Sequence, residues 1–166
     1  MIKYLFAILL LCGIKSRAQE SKQFTIEGDV KQKLTINLDS LLTYKTVSID
    51  SITILNHLMQ RKSSIKNIKG IPLKDILSHV EINEPSPKKL SEYYLVCSAT
   101  GNYKVVFSWN EVFNSKLENN ILILTDFVAD PAKAEKGNIA MITITDAATG
   151  RRFVKGLNKI SIHKVN

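Results

Sequence analysis

The side chains with most scope for metal or nucleophilic chemistry are three histidines and two cysteines, and their spacing gives them little to do together. His57, His79 and His163 are scattered, with no pair at helical or zinc-finger spacing, so no zinc-type set forms around them. Cys97 follows Leu95-Val96 in an apolar run, where a free thiol serves as a small core hydrophobe. No Gly-x-Ser-x-Gly elbow occurs. Two glycine-containing turns remain, Thr100-Gly101-Asn102-Tyr103-Lys104 and Thr149-Gly150-Arg151-Arg152. Neither matches a P-loop or a dinucleotide fingerprint, and each is explained as a hairpin in which glycine supplies a positive φ and asparagine tolerates one. Adjacent arginines also suit an anion through bidentate guanidinium contacts, so turn and anion grip both stay open.

Positioning these residues falls mainly to strands. Segments rich in β-branched and aromatic residues predict strands over 24–30, 34–37, 46–54, 93–99, 103–107, 121–125, 141–145, 153–154 and 160–163. Ile121-Leu122-Ile123-Leu124 and Leu95-Val96-Cys97 are apolar on both faces, as central, doubly covered strands are. Phe24-Thr25-Ile26-Glu27 alternates, as a half-exposed strand does. Helices are short and few. Pro72 opens a stripe at Leu73, Ile76, Leu77 and Val80; Ser108-Trp109-Asn110-Glu111 is a capping box; Asp39-Ser40-Leu41-Leu42 is a weaker third case. Strands outnumber helices without regular alternation, which predicts an α+β fold of mixed sheets.

Composition bounds the rest. The chain of 166 residues is 45% hydrophobic and 23% charged, with only seven glycines and four prolines, so it can bury a core and is not a disordered or collagen-like chain. At the N-terminus, Lys3 precedes an uncharged apolar run over 4–14, and Ser16-Arg17-Ala18 puts small residues where a signal peptidase reads. Residues 1–18 are therefore expected to be a secretory signal and 19–166 a single domain, exported to the periplasm or secreted. Leu11 before Cys12 does not fit a lipoprotein signal, and no stretch reaches transmembrane length. Removing the signal takes Lys3, Lys15 and Arg17 and no acid, so the formal charge of +8 becomes +5. Only Cys97 is then left, and no internal disulfide can form. The lysines are dispersed and not interleaved with aromatics, which argues against nucleic acid as a partner. Asn83-Glu84-Pro85-Ser86-Pro87-Lys88-Lys89 reads as an exposed loop.

The order of several motifs resembles the oxidoreductase molybdopterin-binding domain, the fold of sulfite oxidase. Phe24-Thr25-Ile26-Glu27-Gly28-Asp29-Val30 and Leu38-Asp39-Ser40-Leu41 are similar to its opening. Gly70-Ile71-Pro72-Leu73-Lys74-Asp75-Ile76-Leu77 is similar to its glycine–aliphatic–proline–leucine helix start, and Gly101-Asn102-Tyr103 to its Asp-Gly-Tyr turn. Gly150-Arg151-Arg152-Phe153-Val154 and Ile160-Ser161-Ile162 resemble its closing strands. The resemblance implies a mixed α+β domain and, in catalytic members, a molybdenum–pterin cofactor whose metal is held by a cysteine thiolate. That cysteine follows the strand before the Gly-x-Pro-Leu helix, where this chain reads Ser51-Ile52-Thr53-Ile54-Leu55-Asn56-His57. It has no cysteine there. A Pro-Leu-Arg-Leu-Val stretch is replaced by Asn138-Ile139-Ala140-Met141-Ile142, and an Asp-Gly hairpin by the longer segment 126–137.

The resemblance thus implies a retained scaffold with altered cofactor equipment. The first reading is a non-catalytic module that binds a pterin or another small anion, its pocket lined by Asn56, His57, Tyr103, Lys104, Arg151 and Arg152. Asparagine and tyrosine would orient a polar ligand there, and the cations would neutralise a phosphate. The second is a molybdenum-dependent oxidoreductase without a protein thiolate. The third is an interaction domain with a protein partner in an envelope complex.

Overall fold

The computed structural model describes residues 22–129 and 139–166. The expected signal over 1–18 lies outside the described residues, as does most of the segment 126–137. Among the described residues, ten strands form two five-stranded sheets accompanied by three short α-helices, so the fold is the expected mixed α+β class. No helix among the described residues is long and apolar enough to cross a membrane.

The first sheet has the order β2-β1-β10-β5-β6, from β1 (Gln23–Gly28), β2 (Leu34–Asn37), β5 (Tyr93–Ala99), β6 (Lys104–Ser108) and β10 (Leu157–Lys164). β1 runs parallel to β10 and every other pairing is antiparallel. The alternation in β1 buries Phe24 and Ile26, as its pattern predicts. Gly28 ends the strand at φ +102, and a Cβ there would collide with the carbonyl of Ile162 on β10. β5 departs from expectation: Leu95 and Cys97 are buried, but Val96 is only half-buried, so its outer face is not fully covered. The central strand is β10.

The second sheet is antiparallel throughout, in the order β3-β4-β7-β8-β9. Its strands are β3 (Val47–Leu55), β4 (Arg61–Pro72), β7 (Ile121–Val128), β8 (Ala140–Thr143) and β9 (Val154–Lys155). β7 is central and doubly covered, as its four consecutive apolar residues predict. Its pleat sends Ile121 and Ile123 into a core shared with Phe24, Leu95, Cys97 and Ile160 of the first sheet. Leu122 and Leu124 point the other way, into a second core with Ile52, Ile54, Ile65, Ile68 and Phe153.

β4 is the largest element that sequence periodicity does not predict. Its buried isoleucines, 65, 68 and 71, are spaced by three rather than two. Pairing with β7 shifts register between Lys66 and Lys69 and again before Gly70, and Asn67 stands at φ +50. These irregularities turn the chain over, so Ile65 and Ile68 enter the second core while Ile71 enters the first.

The helices are α1 (Leu38–Leu41), α2 (Leu73–Leu77) and α3 (Trp109–Phe113). α2 is shorter than its apolar stripe, and Pro72 caps it from the end of β4 rather than occupying its first turn. The capping box of α3 forms in both directions: Ser108 Oγ accepts from the Glu111 N–H at 3.1 Å, and Glu111 accepts from the Ser108 N–H at 2.7 Å. Residues Pro87–Glu92, read partly as loop, form a 3-10 turn.

Candidate functional site

The sequence after β8 makes a 3-10 turn at Thr149–Arg152 and then enters β9, and this turn is laid against the end of β3. Thr149 is the clamp. Its hydroxyl donates to the Thr53 carbonyl at 2.7 Å and accepts from the Leu55 N–H at 3.0 Å. The turn between β8 and β9 is thereby tied to β3, at the opposite edge of the same sheet. Gly150 makes the approach possible, because a Cβ there would stand 2.7 Å from the Leu55 carbonyl oxygen. On the other flank the hydroxyl of Tyr103, the residue before β6, donates to the Arg151 carbonyl.

These contacts help bring four stretches of chain, at 54–57, 62–63, 103 and 150–155, around a cavity of about 470 Å³. Ile54, Leu55 and Phe153 supply apolar wall, Tyr103 an aromatic flank, and Asn56, His57 and Ser63 polar groups. Among the described residues its charged lining is Lys62, Arg151 and Lys155, with no carboxylate. Of the residues expected from sequence, Asn56, His57, Tyr103 and Arg151 are brought together here. Asn56 has a structural task as well, since its Oδ1 accepts from the backbone N–H of Leu58 and of Gln60 at 3.0 and 2.9 Å.

Lys104 and Arg152 do not line the cavity. Lys104 is exposed on β6, which places it with the solvent-facing side chains of an edge strand. Arg152 turns away from its neighbour. Its Nε donates to Asp146 Oδ2 at 2.7 Å, Nη2 donates to Asp146 Oδ1, and Nη1 donates to Glu111 Oε1 at 2.9 Å. The guanidinium also lies 4.5 Å over the Phe107 ring. Asp146 first and then Glu111 hold its pKa above the ordinary arginine value. Asn102, not Gly101, takes the positive φ of the β5–β6 turn.

Sequence reasoning missed Lys62, Ser63, Phe153 and Lys155. Arg61-Lys62 reads as a surface pair unless β4 is recognised; once it is, the register sets Arg61 opposite Leu55 and Ser63 opposite Ile54, beside the pocket.

The residues present do not fit a thiolate-held molybdenum. Cys97 is the one cysteine among the described residues; it is fully buried in β5, and burial pushes its thiol up to about 12. No group of three His, Cys, Asp or Glu among the described residues is placed to hold a metal ion. The carboxamide oxygen of Asn56 is committed to its own turn.

No family model and no curated protein matches the sequence. Among solved structures the chain is similar to the sulfane dehydrogenase SoxCD from Paracoccus pantotrophus, with a TM-score of 0.58 and 12% sequence identity. The match covers 85% of this chain and 38% of that one. The likeness shows a distant relationship of fold.

Proposed function

We propose that this chain is an exported, non-catalytic binding module on a molybdopterin-domain-like scaffold, and that its pocket takes a small organic anion such as a pterin phosphate. The observation that carries this reading is the guanidinium-bearing Arg151 at a pocket that also presents His57, Asn56, Ser63 and the Tyr103 ring. A volume of about 470 Å³ suits one small molecule, and its mixed wall suits a flat apolar body with a charged end. The order of sequence motifs and the structural likeness to a dehydrogenase support the scaffold. The non-catalytic part of the reading is supported by the position of Cys97, the one cysteine among the described residues, which is buried in β5 and does not line the pocket. Export rests on the charged, apolar and small-residue order of residues 1–18.

Calorimetric titration of the purified protein with pyrophosphate and with a pterin phosphate tests the reading. One saturable site that weakens as salt is raised is the expected result. Absence of binding to both anions contradicts it.

A further inference from the structure

Two phenyl rings line the pocket, and their faces are not equally occupied. Phe153 is 7% exposed; the Lys155 ammonium lies 5.1 Å over its ring, and Phe127 meets it in a T-shaped contact at 6.4 Å. Tyr103 is 45% exposed, and among the described residues no other ring or cation packs on it. Its ring is the aromatic surface left open to a ligand.

This open ring is held at both ends. Its backbone leaves the β5–β6 turn, where the Tyr103 carbonyl accepts from the Ala99 N–H at 2.8 Å and the Ala99 carbonyl from the Asn102 N–H at 3.1 Å. The Thr100 N–H ties the same turn to the Gly156 carbonyl, between β9 and β10, at 2.9 Å. At the far end of the side chain the hydroxyl donates to the Arg151 carbonyl. The polar tip is thus satisfied within the protein, and the faces of the ring are left for contact. A ring fixed beforehand loses little freedom when a ligand settles on it.

The partner of the hydroxyl matters as much. Thr149 already ties its turn to β3, and the Tyr103 bond holds the same turn from the side of β6. It fixes the backbone of Arg151, which lines the pocket, is exposed, and takes no part in the ion pairs that hold Arg152. A planar guanidinium so placed suits the forked contact of a phosphate.

We propose that Tyr103 is the specificity-determining residue of the pocket: its ring receives the flat face of an aromatic ligand, and its hydroxyl, by holding Arg151, positions the cation that meets the ligand's phosphate. This rests on the anion-binding reading of the pocket and names what selects the ligand.

The test is calorimetric titration with phenyl phosphate and cyclohexyl phosphate, which share the anion and differ in the flatness of the ring. Wild-type protein should prefer phenyl phosphate by at least about threefold, the worth of an aromatic pair. Tyr103→Leu should abolish the preference and Tyr103→Phe should keep it. Tyr103→Phe should weaken both ligands by one common factor, about three- to tenfold for a lost hydrogen bond, and should have no further effect in an Arg151→Ala background. Tyr103 belongs to neither core, so both variants are expected to fold. A preference that survives Tyr103→Leu, an unaffected Tyr103→Phe, or an equal effect of Tyr103→Phe in both Arg151 backgrounds each overturns the proposal. Binding of both phosphates without preference defeats this inference alone; binding of neither defeats the anion reading with it.

Discussion

Arg151 and Arg152 are neighbours of the same type that meet different surroundings. Arg152 lies between Asp146 and Glu111 and over Phe107, joining the turn after β8 to α3 and β6. Arg151 lies against the pocket, its carbonyl fixed by Tyr103. Replacing Arg151 by alanine should weaken pyrophosphate binding by at least about tenfold and leave thermal unfolding unchanged, since one charge-assisted contact is lost and no core is touched. Arg152→Ala should do the reverse. It strands two carboxylates around a partly buried position, and a loss of about 1–3 kcal/mol in urea unfolding is expected, with pyrophosphate affinity retained. Cys97 gives a pH signature. Burial lifts its thiol from an ordinary 9.0 to about 12, so between those values the folded chain holds a proton that the unfolded chain releases. This contribution is complete below the ordinary value and is lost as pH rises toward the folded one, with a slope of up to about 1.4 kcal/mol per pH unit. Urea melts across that range should show the decline in the wild type and a flatter profile in Cys97→Ala.

At the scale of elements, the clamp between the Thr149–Arg152 turn and β3 decides whether the pocket exists. Thr149→Val preserves shape and removes both hydrogen bonds, leaving the Leu55 N–H and the Thr53 carbonyl without their partner. A cost of about 1–3 kcal/mol is expected, with faster hydrogen exchange at Leu55 and weaker anion binding; unchanged exchange would show that the clamp is not what closes the sheet. Elements with one clean period were legible in the sequence: β1 by alternation, β7 by its continuous apolar run, α3 by its capping box. β4 was not, because two register shifts and a left-handed Asn67 replace the period of two by a spacing of three. That omission propagated to the site. Asn56, His57, Tyr103 and Arg151 were found from turns and from the family resemblance, whereas Lys62 and Ser63 come from the unread strand. The difference between Arg151 and Arg152 was illegible for another reason: their partners, the pocket on one side and Asp146 with Glu111 on the other, are set by tertiary folding.

For the whole molecule, two sheets share one core and the second sheet encloses another, which fixes the pocket at the seam where β3 meets the chain returning from β8. The fold resembles that of a sulfane dehydrogenase at 12% identity, a level at which core pattern persists while site chemistry is free to change. Protein made in an exporting host that synthesises the molybdenum cofactor should therefore carry no stoichiometric molybdenum by elemental analysis; a near-equimolar content would show a ligand set other than a thiolate. The account's central claim is that the cationic pocket, and no other surface, receives the anion. Its most direct test is an amide chemical-shift map of the labelled protein titrated with pyrophosphate. The account predicts saturable shifts at His57, Lys62, Ser63, Arg151 and Lys155 that vanish in Arg151→Ala. Shifts confined to other surfaces, or equal shifts in that variant, would contradict it.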